Sequence, residues 1–284
     1  MSFLLLSLTF LFGSATLIAL VIPCRDRPAE LGRERYDPRL RSVDSVNAAE
    51  NYVRGRVGPR ATQAEVAAAI EDFAARRFQH NFSGFSFCRN WVAHLAGAMR
   101  YDLKVPIDPD DILKQPSAMC SQNAMVVQAL LERFAIDFAT VKFVDEHMAV
   151  AARIGNDWVL YDGDLEIARN SPVILDSPDV ASAIELAYRQ RTSLWQPGDP
   201  ADMARHFARL VQTGQVTMES VNVRLGWRGE MLQRVEWYFS WFGWLLFLVS
   251  FLALKVLRAK RRSPQARPAP VPVSFSSAVP AGGS

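Results

Sequence analysis

Charge is missing from two stretches of this 284-residue chain. No Asp, Glu, Lys or Arg occurs from Met1 through Cys24, and none from Trp237 through Leu254. All 32 Lys and Arg and all 29 Asp and Glu lie elsewhere, which excludes an ordinary cytosolic globule. A third apolar run of membrane length is also missing, which excludes a multi-spanning channel or transporter. Concentrated basic charge is lacking too. The formal net charge is +3, and acidic and basic residues interleave, as in Arg33-Glu34-Arg35. A nucleic acid is therefore not an expected partner, since it calls for a clustered basic face. Cysteine is scarce. Cys24, Cys88 and Cys120 are an odd number, with no CxxC and no histidine spacing suited to zinc, so no disulfide framework and no metal site are expected.

The two uncharged stretches are what is there instead. Phe3 to Ile22 is long enough to cross about 30 Å of hydrocarbon as a helix. No basic residue precedes it, and it is longer than the apolar part of a cleaved signal, so an uncleaved anchor is expected. Pro23 before Cys24 argues against lipidation there. The second stretch opens on Trp237, Tyr238, Trp241 and Trp244, aromatics suited to the headgroup level, and closes on Lys255, Arg258, Lys260, Arg261 and Arg262. Two spans place both termini on one side of the bilayer and the middle on the other. The compact basic cluster at the tail argues for cytoplasmic termini, and the arginines from Arg25 to Arg41 argue the reverse. Long domains translocate largely regardless of charge, so the expectation is an extracytoplasmic middle domain.

Between the spans, Thr62 and Glu65 have the spacing of a capping box. Val66, Ile70, Phe73 and Ala74 then recur at helical spacing through Arg77. Further helices are expected over Phe87–Arg100 and about Cys120–Phe134. Strands are expected over Phe138–Val144, His147–Ile154 and Trp158–Tyr161, followed by helices over Val180–Arg191 and Asp202–Thr213. The expected class is α+β. The division expected is an anchor at 1–23, a linker at 24–60, a domain at 61–215, a juxtamembrane segment at 216–236, a helix at 237–255, and a basic, then disordered, tail at 256–284.

One constellation carries chemistry. Cys120 opens a helix with no acidic residue before Glu132, and the N–H groups and partial positive charge of a helix start favour a thiolate, the attacking species. Only four histidines occur, His80, His94, His147 and His206. His147 begins an alternating strand that ends at Gly155-Asn156, a dipeptide suited to a two-residue hairpin turn. If that turn pairs Ile154 with Asp157, His147 lies opposite Asp164, with Asp162 two residues along on the same face. A carboxylate there can hold the imidazole in one tautomer and favour its charged form. Cys88 and His94, six apart on one expected helix, do not face each other and read as structural. The Cys120 backbone N–H is one candidate donor for a developing oxyanion. Gln115 is a second, although an exposed loop glutamine is the commoner reading, and Trp91 is a weaker third.

At Cys120-Ser-Gln-Asn-Ala124, Leu130-Leu131 through Ala135-Ile136, His147-Met148-Ala149 and Trp158-Val-Leu-Tyr-Asp162, the chain resembles the transglutaminase-like superfamily of papain-fold cysteine enzymes. The resemblance implies a nucleophile helix packed on an antiparallel sheet, with Cys120 as nucleophile, His147 as general base and acid, and Asp162 as orienting carboxylate. Taken with the two spans, it implies a membrane-anchored bacterial hydrolase or acyltransferase that acts on amide or ester bonds of a protein or peptide and needs no metal or organic cofactor. The chain departs from the family at Ala118, where Gly is common, and at Gly163-Asp164, where Pro-Thr is common; Asp164 is the fallback third member. The rival expectation is a non-catalytic scaffold of the same fold that binds other envelope proteins.

Overall fold

A computed structural model describes residues 2–24, 35–144, 147–167, 172–190 and 199–262. The Arg-rich stretch at 25–34 and the tail from Ser263 lie outside the described residues. The chain divides into two compact units, residues 1–13 with 243–284, and residues 14–242.

Helix α1 (Ser2–Val21) is followed by a 3-10 turn at Pro38–Ser42 and by α2 (Val46–Val57), whose Ser45 Oγ caps Ala48 N. Segment 24–60 is therefore no plain linker. Val46, Ala49 and Val53 of α2 are buried in the core together with Leu40. The apolar face of α2 is only three residues wide and is diluted by Asn, Glu and Arg, which hid it from periodicity. Helix α3 (Gln63–Arg77) starts at the Thr62/Glu65 capping box, with both reciprocal hydrogen bonds made. After β1 (Gln79–His80) comes α4 (Trp91–Ala96), much shorter than the helix expected over Phe87–Arg100 because Asn90 caps it and Gly97 ends it. Then follow α5 (Pro109–Leu113), β2 (Ser117–Ala118) and α6 (Cys120–Arg133).

The chain next forms β3 (Phe138–Phe143), β4 (His147–Ile154), β5 (Asp157–Tyr161) and β6 (Val173–Ile174). Helices α7 (Val180–Arg189) and α8 (Pro200–Gln212) precede β7 (Val216–Met218). The sheet order is β6-β5-β4-β3-β7, antiparallel at every pair. Because β7 pairs with β3, the domain extends past residue 215. The β4–β5 turn is Gly155-Asn156, with Gly155 at φ 63° and Ile154 paired with Asp157, the register that dipeptide implies.

Both faces of the sheet are covered, which explains why β4 runs Ala149-Val150-Ala151-Ala152 with no polar alternation. Val150 and Ala152 face the core shared with α2, α3 and α6. Ala149 and Ala151 face the second core, against Tyr188 of α7 and Phe207 of α8. Small side chains on β4 let α6 lie close, and that approach sets the position of Cys120. The fold is α+β, with the helix that begins at Cys120 on one face of an antiparallel sheet.

The last element, α9 (Trp227–Arg262), starts ten residues before the uncharged stretch, at Trp227 rather than Trp237, with Glu230 and Gln233 buried in its first turns. Helices α1 and α9 are long and apolar enough to cross a membrane. In the terminal unit, the rings of Phe12 and Phe247 meet edge to face at 5.0 Å. Cys24 and Cys88 form a disulfide, which corrects the expectation of none. The cysteine count could not show it, because an odd number leaves the pairing open and the partners stand 64 residues apart.

Candidate functional site

Cys120 is the first residue of α6 and the free cysteine of the chain. The residue before it, Met119, has no capping oxygen, so the helix start keeps its positive potential next to the thiol. Gln122 steadies that turn. Its Oε1 accepts from Met119 N at 3.2 Å, while its Nε2 donates to Pro106 O at 3.1 Å. The loop that delivers Cys120 is held from behind by Arg77, a fully buried guanidinium that donates to the carbonyls of Val43, Leu113 and Gln115. Burial lowers the Arg77 pKa to about 10, and it stays charged at neutral pH.

His147 stands at the start of β4 and is buried between Phe143 and Phe207, with ring centroids at 6.0 and 5.7 Å. Its Nε2 lies 2.6 Å from Asp162 Oδ2. Burial disfavours the imidazolium, but the Asp162 carboxylate, helped by Cys120 and Asp164, outweighs it and holds His147 well above the usual imidazole range. The net effect favours the imidazolium form of His147.

Asp162 follows β5 directly, and each of its oxygens is used twice. Oδ1 accepts from Asp164 N and Leu165 N, both at 3.1 Å, an Asx-type turn written by the local sequence. Oδ2 accepts from His147 and from Tyr188 Oη at 2.8 Å. Burial raises the carboxyl, yet the facing imidazolium and these donors prevail and hold it below its ordinary value. Its backbone N–H donates to Glu71 Oε1 of α3 at 2.9 Å.

Gly163 is where it is for want of room. A Cβ there would stand 2.9 Å from Asn123 Oδ1 and 3.1 Å from Ala74 Cβ, closer than a side chain tolerates. Asp164 is buried as well, and its Oδ1 meets His80 Nδ1 at 2.5 Å. Its Oδ2 is buried with no hydrogen-bond partner among the described residues. Burial raises the Asp164 carboxyl even though His80 pulls it down.

The structure brings Cys120, His147 and Asp162 together, and it brings Asp164 to the same place: Cys120 Sγ, a His147 nitrogen and an Asp164 oxygen lie within 4.8 Å of one another. A thiolate, an imidazole and a carboxylate at that spacing also suit a soft divalent ion. Cys120, Asp162 and Asp164 line, with Asn123, Val127 and Gly163, a crevice too narrow to admit a water molecule. A larger apolar pocket of 740 Å³, between Ala64, Ala68 and Glu71 on one side and Val159, Tyr161 and Val173 on the other, does not include the thiol.

Gln115 is buried rather than an exposed loop residue, and its Nε2 has no partner among the described residues. Trp91 is turned elsewhere, its Nε1 donating to Ser240 O. His94 bonds Phe85 O through Nδ1, and Cys88 is in the disulfide. Sequence reasoning missed His80, Tyr188 and Glu71. The scarcity of histidine was the one available signal for His80; nothing in the local pattern marks the other two.

No family model, no curated protein and no solved structure matches this chain.

Proposed function

We propose that this protein is a membrane-anchored, transglutaminase-like cysteine hydrolase or acyltransferase of papain-like fold. The observation that carries the reading is a buried His147 within reach of the Cys120 thiol on one side and, on the other, 2.6 Å from a buried Asp162 carboxylate that accepts four hydrogen bonds. In this reading Cys120 Sγ attacks an amide or ester carbonyl, and the oxyanion is met by the Cys120 N–H and the Gln115 side-chain amide. His147 gives its proton to the departing amine or alkoxide, leaving a thioester. A water molecule, or an acceptor amine, then loses a proton to His147 and attacks the thioester, and Cys120 leaves as thiolate. Hydrolysis of a protein or peptide is the favoured outcome. The disulfide supports an extracytoplasmic domain, since such bonds persist in oxidising compartments, and a bacterial inner membrane with the domain in the periplasm fits.

The narrow crevice favours a second reading, a scaffold of the same fold that binds an envelope partner without turnover. Alkylation kinetics separate the two. At pH 6 a nucleophile activated by His147 should react with iodoacetamide at least tenfold faster in the folded full-length protein than in the denatured chain. Equal rates would sink the enzyme reading. A folded rate that rises only on adding a chelator would assign Cys120, His147 and Asp164 to an ion instead.

A further inference from the structure

Outside the two long helices, the three most exposed large apolar side chains among the described residues are Met99 (82%), Phe82 (65%) and Leu95 (53%). They belong to one stretch, the polypeptide around α4, where Phe82 also meets Tyr101 edge to face at 5.6 Å. Three such residues gathered on one element mark a contact surface rather than ordinary scatter.

What covers them follows from how α4 is tied to the two long helices. Ser240 of α9 is fully buried, and four hydrogen bonds converge on it. Its carbonyl accepts from Trp91 Nε1 at 2.7 Å and from Thr16 Oγ1 of α1 at 2.8 Å. Its hydroxyl accepts from Val92 N at 3.2 Å and donates to Asn90 Oδ1 at 2.6 Å. The start of α4 is thus fixed at the level of Thr16 and Ser240. Thr16 lies six residues inside the domain-side end of its apolar run at Ile22, and Ser240 three residues inside its end at Trp237. At 1.5 Å per residue these are about 9 and 4.5 Å into the apolar runs. The Cys24–Cys88 disulfide closes the same arrangement from the α1 side. Gln233, one to two turns nearer the domain, holds Ile107 N and Val105 O instead, so the chain leaves the apolar level there.

We infer that residues 82–101 are a third membrane contact, a short element that lays Phe82, Leu95 and Met99 into the phospholipid leaflet entered by α1 and α9. The occupant is lipid because the element is fixed at the depth where the spans themselves are apolar. Arg89, Arg100 and Lys104 against the single Asp102 give the stretch the basic balance that phosphate headgroups favour. The contact reaches the thiol. Asn81 N bonds Ala118 O at 3.3 Å and Gln122 Nε2 bonds Ser83 Oγ at 3.4 Å, so Phe82 lies beside the first turn of α6. These bonds link the contact to the turn that carries Cys120 and, resting on the proposed function, give Cys120 an acyl donor anchored in the bilayer. The docking itself rests on α1 and α9 crossing the membrane and does not require Cys120 to be catalytic.

Depth measurement by nitroxide labelling tests this in the full chain, reconstituted in phosphatidylcholine nanodiscs on a Cys120→Ala background. Labels at Met99→Cys and at Leu246→Cys in α9 should both be relaxed by oxygen in preference to an aqueous nickel chelate. A label at Asn156→Cys, on the β4–β5 turn, should show the reverse. A position 99 label as wet as the one at 156, with the 246 label in lipid, would overturn the docking surface alone. A position 99 label shielded from both reagents would mean a protein covers it, which also overturns the inference. A wet label at 246 would remove the spans and the inference with them. With Cys120 intact, a maleimide carried on phospholipid headgroups should label it, and the Leu95→Glu/Met99→Glu variant should slow that labelling at least tenfold while soluble N-ethylmaleimide reacts unchanged. If both reagents slow together the variant has lost its fold, and the depth result decides.

Discussion

Asp162 and Asp164 stand two residues apart, both buried, each against a histidine, and they ionise in opposite directions. Asp162 sits below its ordinary range and Asp164 above it. Burial is the largest influence on both, so burial cannot be the difference. Asp162 receives four donors, His147 among them, whereas Asp164 receives His80 on one oxygen and, among the described residues, has no hydrogen-bond partner on the other. The count and charge of donors decide which way each carboxyl shifts. One aspartate is thereby suited to hold an imidazolium in place, and its neighbour gives up its proton less readily.

Exchanging each carboxylate for its amide should expose the contrast most strongly in turnover. With p-nitrophenyl acetate as an acyl donor, Asp162→Asn should lower kcat/KM by about 10³-fold or more, the scale of neutralising a triad carboxylate. Asp164→Asn should cost less than about tenfold. Comparable losses would erase the distinction and reopen Asp164 as the orienting group.

The pH dependence of stability gives the next largest signal. A depressed carboxyl contributes stability above the unfolded value near 3.8 and loses it as pH falls through the folded value. A raised carboxyl does the opposite: the folded chain binds more protons, so stability declines as pH rises from about 4 to the folded value. At pH 7 Asp162→Asn should melt below the parent protein, with the gap closing towards pH 3, while Asp164→Asn should melt at or above it. Thermal melts of both variants moving the same way at pH 7 would contradict the assignment.

The smallest effect belongs to Tyr188→Phe, which removes one donor from Asp162 Oδ2 and leaves the ring packed against Phe207. About 1 kcal/mol of stability is expected to go, read from denaturant unfolding at pH 7. No change would mean that the remaining three donors suffice.

Much of this arrangement was legible in the residues. Gly155-Asn156 dictated the turn, the turn dictated the β4–β5 register, and the register brought Asp162 and Asp164 within reach of His147. The capping box at Thr62 marked where α3 starts. What escaped was whatever depends on long-range packing. Helix α2 buries only Val46, Ala49 and Val53, too narrow a face to show through its polar residues. Tyr188 lies on a helix whose apolar face would look the same with Phe in its place. Gln115 sits in a segment of loop character and is buried only because Arg77 gathers that loop inward.

The Cys24–Cys88 bond has a consequence for how the protein would break. It closes a covalent ring around α2 and α3, joining the end of the first long helix to the segment just before α4. A peptide bond severed anywhere inside that ring would leave both fragments attached, and the damage would stay silent on a gel until a reductant was added. Proteolytic wear in an oxidising compartment would therefore leave the N-terminal anchor attached to its domain.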